Sequence, residues 1–132
     1  MRIRHLIALS SLSMLVGCQD KPTVCEASGV RDKIVTSFTS DKASAAFALT
    51  KNLQMKEIKV IKTDESTGTT DCQARVVIPT EQGPLDGPVT YRMGPAASTG
   101  KQVFMYAFLD KPMEDLWDLI EIAAKRQPAP AN

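Results

Sequence analysis

Three cysteines, one histidine and two adjacent carboxylate pairs are the side chains with which this 132-residue chain could do covalent, metal or acid–base chemistry. Cys18, Cys25 and Cys72 show no C-x-x-C spacing and the only histidine is His5, so neither a dithiol redox motif nor a zinc ligand set is written in the chain. The carboxylate pairs are Asp64-Glu65 and Glu114-Asp115. The first falls among turn residues and the second in the first turn of a helix, where carboxylates are solvated or stabilise the helix dipole, so neither reads as an acid/base pair. No G-x-S-x-G nucleophile elbow and no phosphate-binding glycine loop is present. Lys56, Lys59 and Lys62 recur at helical spacing inside a stretch that reads as strand, and are expected as separate edge or solvent lysines, not as one basic face. The reading therefore assigns no catalytic residue, no metal and no cofactor.

At the N-terminus, Arg2 and Arg4 precede a mostly apolar run from Leu6 to Val16, followed by Gly17 and Cys18. This is the charged region, short apolar region and small-residue cleavage site of an export signal. The run holds Ser10, Ser11 and Ser13 and falls short of the ~20 apolar residues that a spanning helix needs. Leu15-Val16-Gly17-Cys18 resembles the lipobox of bacterial lipoproteins. The resemblance implies that residues 1–17 are a lipoprotein signal peptide and that the Cys18 thiol carries the lipid. It also implies, with Gln19 and not aspartate after the cysteine, anchorage in the outer membrane facing the periplasm. Residues 18–23, which include Pro22, then form a tether that spans no more than ~3.6 Å per residue, so the domain works close to the bilayer.

Loss of the signal removes Arg2, Arg4 and His5, leaving 14 basic and 15 acidic residues and no histidine for a triad or a Cys–His dyad. With Cys18 acylated, Cys25 and Cys72 remain in an oxidising compartment, and they are expected to pair as a disulfide. Such a bridge contributes roughly 4 kcal/mol through the loop it closes. The composition, 43% hydrophobic and 23% charged, is that of a soluble globular domain, and 16 basic against 15 acidic residues in the whole chain give no net field to draw nucleic acid or an acidic surface.

The elements that must position these residues follow from periodicity. Ala27, Val30, Ile34 and Phe38 predict an amphipathic helix over residues 24–39, and Ala46, Phe47 and Leu49 a shorter one over 42–51 capped by Ser40 or Asp41. Residues 53–63 are β-like, but the apolar phase switches between Met55 and Ile58, which predicts a bulge near Lys56 or Glu57. Thr70, Cys72, Ala74, Val76 and Ile78 alternate with Asp71, Gln73 and Arg75 in a second strand, joined to the first by turn residues 64–68. Residues 79–88, with two glycines and two more prolines after Pro79, are expected as a projecting loop. Val89, Tyr91 and Met93 mark a third strand, residues 94–101 another connection, and residues 102–108 a fourth strand covered on both faces. Asp110-Lys111-Pro112 opens a last helix with the stripe Met113, Leu116, Trp117, Ile120 and Ala124. Pro128 and Pro130 follow, and residues 127–132 read as a disordered tail.

The order predicts a small single α+β domain over residues 24–126: one or two N-terminal helices, a four-stranded antiparallel meander and a C-terminal helix. In outline it is similar to cystatin-like or NTF2-like folds, on element order alone. The expected function is a noncatalytic binding module of accessory, inhibitor or immunity type, held in the membrane by its lipid, with an envelope protein as partner and no nucleic acid. Its contacts are expected on residues 79–88, through Glu81, Gln82, Leu85 and Asp86, and on residues 94–101. The alternative is a small-molecule or lipid-binding pocket protein with weak enzymatic activity. Phe104, Tyr106, Phe108 and Trp117 read as core by their spacing. A cavity lined by Trp117 and Phe104 would favour the pocket, and a filled core with an exposed apolar patch or projecting loop would favour the binding module.

Overall fold

The computed structural model describes residues 24–126. The expected signal peptide, lipidated Cys18, tether and disordered tail fall outside the described residues. A single 3-10 turn, Val24–Glu26, is followed by helices α1 (Val30–Phe38) and α2 (Ala45–Thr50), strands β1 (Gln54–Asp64), β2 (Thr69–Ile78), β3 (Leu85–Pro95) and β4 (Gln102–Ala107), and helix α3 (Lys111–Arg126). The strands form one antiparallel sheet in the order β1-β2-β3-β4, with helices against one face, an α+β arrangement.

Each helix boundary has a local cause. Gly29 takes a left-handed backbone at φ +85°, which splits the single helix expected over 24–39 and leaves Cys25 in the turn ahead of α1. Helix α2 starts later than expected because its cap is Ser44, whose Oγ accepts from the Phe47 amide at 3.1 Å; Asp41 instead accepts from the Ala43 amide in the preceding turn. Asp110 accepts from the Met113 amide at 3.1 Å and starts α3, as read from the sequence.

The core forms between the helices and the even residues of β2 and odd residues of β3. Cys72, Ala74, Val76, Ile78, Val89, Tyr91 and Met93 are fully buried, and they meet Ile34, Leu116 and Ile120 from the helices. Cys25 and Cys72 are bonded to each other, tying the 3-10 turn, and not α1 itself, to β2. The buried Tyr91 hydroxyl donates to the Cys25 carbonyl oxygen at 2.6 Å, and the Tyr91 ring stacks on Phe104 with centroids 5.9 Å apart. Burial raises the phenol to about 12, with the negative charge of Glu26 adding to the effect.

Two strand readings differ from expectation, the start of β3 and the covering of β4. Strand β3 begins at Leu85, paired with Ile78, so the connection is only residues 79–84. A Cβ at Gly87 would sit at ordinary contact distance, 3.7 Å, from Leu116, and proline is tolerated at 88 because β4 reaches only to Tyr91, so β3 is an edge there. Strand β4 is also an edge and is covered on one face, since α1 and α3 pack on the same side of the sheet as the core.

Candidate functional site

Among the described residues no helix lies on the opposite face of the sheet, which presents Asp71, Gln73 and Arg75 of β2 and Asp86, Thr90 and Arg92 of β3. Its β4 half is organised around Arg92. The guanidinium donates to both Asp71 carboxylate oxygens, at 2.7 and 3.1 Å, and to the Tyr106 hydroxyl at 2.8 Å. It also lies over the rings of Tyr106 and Phe108, with centroids at 5.6 and 5.2 Å, while those rings meet edge to face. The hydrogen bonds hold Asp71 below the usual carboxylate range and push Arg92 further up.

Beside this clamp runs an apolar strip. Val103, Met105 and Tyr106 are 43%, 49% and 43% exposed, and Leu109 just beyond is 77% exposed. Met105 is the extra residue where the β3–β4 register shifts between Arg92 and Met93. It folds back across β3, where a Cβ at Gly94 would lie 2.4 Å from its Sδ, so glycine at 94 makes room for the methionine. The expectation that Tyr106 and Phe108 are core is corrected: both project from the uncovered face, and only Phe104 of the β4 aromatics packs inward. Apolar residues on both faces of β4 thus mark an exposed apolar surface and not, as expected, burial on both sides.

The β1 half has a different make-up. Lys56 stands opposite Arg75, Lys59 opposite Gln73 and Lys62 opposite Asp71, so all three lysines share the uncovered face. This overturns the expectation that they do not make one face, while all three are exposed on an edge strand as expected. Between Lys56 and Lys59, Glu57 and Ile58 face Ala74 alone, with Glu57 at φ 52°, which is the bulge expected from the apolar phase. A second irregularity leaves Ile61 extra between Val60 and Lys62. One extra residue in each interval converts a spacing of three into a ladder spacing of two. Arg75 is engaged with Asp86, an exposed ion pair that raises the Arg75 guanidinium through its hydrogen bonds.

The residues first expected to contact a partner are dispersed. Glu81 and Gln82 are exposed in the 79–84 turn, which Thr80 closes by donating to the Gly83 carbonyl. Leu85 is partly buried against the core and Asp86 is held by Arg75, so neither projects from a loop. The 79–84 and 96–101 connections lie at opposite ends of β3, an 11-residue strand, about 35 Å apart, so they cannot form one compact epitope; the uncovered face lies between them.

The chemistry set aside in the sequence is placed as follows. Asp64 closes the β1–β2 turn, accepting from the Ser66 amide and hydroxyl at 3.0 and 2.6 Å, bonds that stabilise the carboxylate and hold its pKa below the usual range. Asp115 pairs with Lys111 one turn earlier in α3. Ser98 and Lys101 stand at Ser-x-x-Lys spacing, a motif that sequence reasoning missed. Both are exposed in the 96–101 turn and make no hydrogen bond to each other, whereas an activated serine needs its lysine held against the hydroxyl in a desolvated pocket. Among the described residues no group of three or more His, Cys, Asp or Glu could hold a metal, and no helix is long and apolar enough to cross a membrane.

A cleft of about 380 Å³ opens in the helix layer, floored by Phe38, Met113 and Trp117 and edged by Leu109, Glu114 and Asp118. Phe38 and Trp117 stack with centroids 6.2 Å apart, and Phe104 is not part of its lining. No family model, no curated protein and no solved structure matches the chain.

Proposed function

We propose that the chain is a lipid-anchored envelope protein, attached through Cys18 to the outer membrane and facing the periplasm, that acts as a noncatalytic binding module for another envelope protein. The observation that carries this reading is the exposed strip of Val103, Met105 and Tyr106 beside the Arg92 clamp. Tyrosine and arginine dominate the energetics of protein interfaces, and an ordered aromatic cluster loses little side-chain entropy when a partner arrives. Monomeric proteins rarely leave a large continuous apolar surface in water without using it.

Affinity capture of the acylated protein from its own envelope tests the reading. Tyr106→Ala and Arg92→Ala should each weaken retention of a defined partner about tenfold or more, the loss expected of a central interface residue. Replacement of residues 80–83 by a short glycine turn should matter less. Undiminished capture by both face variants, or substrate turnover that depends on a mature carboxylate or lysine, contradicts the proposal. Mass spectrometry of the membrane-bound chain tests the anchor: an acylated N-terminal cysteine supports it, and an unmodified chain beginning elsewhere removes it. A second reading, a small-molecule or lipid ligand, has its place in the Phe38–Trp117 cleft, and ligand-dependent quenching of Trp117, the only tryptophan, would report it.

A further inference from the structure

We propose that the lysine row of β1 lies on anionic phospholipid headgroups of the membrane that holds the domain, an inference that rests on the acylation of Cys18 proposed above. Lys56, Lys59 and Lys62 project from one face opposite Arg75, Gln73 and Asp71, about 7 Å from one to the next, and all three are exposed. None of them makes a salt bridge among the described residues. The acidic groups nearby are Glu57, Asp64, Asp71 and Asp86, of which Asp71 is bound by Arg92 and Asp86 by Arg75, so three lysines face two remaining carboxylates and this half of the face keeps a small excess of positive charge.

The place where the chain enters the domain points the same way. The Cys25 sulfur lies 3.9 Å from the Lys59 carbonyl oxygen, so the described chain begins against the β1 backbone, on the covered side of the sheet and level with the middle of the row. Six residues from Cys18 to Val24 span at most ~20 Å, a length that keeps β1 within reach of the headgroups. Helix α3 carries Glu114, Asp115, Asp118 and Glu121 against Lys111, Lys125 and Arg126, a slight acidic excess that offers nothing to a negatively charged leaflet. Addition of a partner strand along β1 is opposed by the two register shifts and the lysines, both devices that protect a sheet edge.

The test uses the acylated chain reconstituted in vesicles of phosphatidylcholine alone or with phosphatidylglycerol. Amine labelling read by mass spectrometry should be about fivefold slower at Lys56, Lys59 and Lys62 on the anionic vesicles, unchanged at Lys101 and Lys125, and equal on both vesicles in high salt. Equal labelling of the row at low salt overturns the proposal, and protection of the row in intact cells would then mean an acidic protein surface. If the purified chain carries no acyl group, the anchor reading fails separately, and sedimentation of that chain with anionic vesicles still decides the lysine row. Lys56→Gln, Lys59→Gln and Lys62→Gln together should then lower vesicle binding about 100-fold. Equal binding by the parent chain and the triple variant overturns the proposal.

Discussion

On the β1 half of the open face the lysines make no salt bridge among the described residues, though Lys62 stands opposite Asp71, whereas on the β4 half Arg92 is held by Asp71, Tyr106 and Phe108. One half offers long solvated chains that lose conformational freedom only when something anionic arrives. The other offers side chains already fixed in place. The difference suits two kinds of contact: diffuse and salt-sensitive on β1, and ordered and geometry-specific on β4. The two halves also rest on different supports, β1 on the Cys25–Cys72 bridge and β4 on the Tyr91–Phe104 stack.

The largest effect should come from removing the support behind β1. Cys25→Ser with Cys72→Ser should cost about 4 kcal/mol, because the bridge closes a 47-residue loop, and lower the midpoint of thermal unfolding by roughly 15 °C. A fall of only a few degrees would mean that the two halves do not depend on this bridge.

Next comes Tyr91→Phe, which orphans the buried Cys25 carbonyl and should cost about 1–2 kcal/mol in denaturant unfolding. Its pH dependence is specific. The fold raises the phenol from 10.0 to about 12, so the stability linked to its neutral form is whole below pH 10 and is lost as pH rises from there through about 12. The phenylalanine variant should lack that alkaline loss.

Arg92→Ala should cost about 1 kcal/mol, since the pair is only partly buried, while weakening partner capture far more than that figure suggests. Asp71 gives the acid counterpart. Its folded value lies below 3.8, so its contribution is present above that pH and disappears as pH falls through the lowered value. Asp71→Asn should flatten the acid limb of stability measured against pH. Smallest of all, glutamine at Lys56, Lys59 and Lys62 should change stability by no more than ~0.5 kcal/mol each, which separates their role from the fold.

Much of the fold was legible because its signals are local. The alternation of β2, the cap at Asp110, the first β1 bulge and the pairing of Cys25 with Cys72 all follow from neighbours in sequence or from elimination. The site was not, for two physical reasons. The bulge near Glu57 was read from apolar phase, yet its consequence for Lys56 and Lys59 requires counting ladder positions, and the second shift at Ile61 has no comparable signal. For β4, alternation cannot reveal how many faces are covered; only the packing of α1 and α3 on one side leaves Val103, Met105 and Tyr106 in water. A near-zero net charge was equally silent, because it sums over a basic β1 edge and an acidic α3.

The central claim is that a protein partner docks on the β4 half of the uncovered face. It is tested most directly by placing a photo-crosslinking residue at Tyr106, and separately at Glu121 in the helix layer, in cells that make the otherwise native chain. A discrete protein adduct from position 106, with none from 121, is the predicted result. Adducts from 121 alone, or only unmodified chain from both positions, would contradict it.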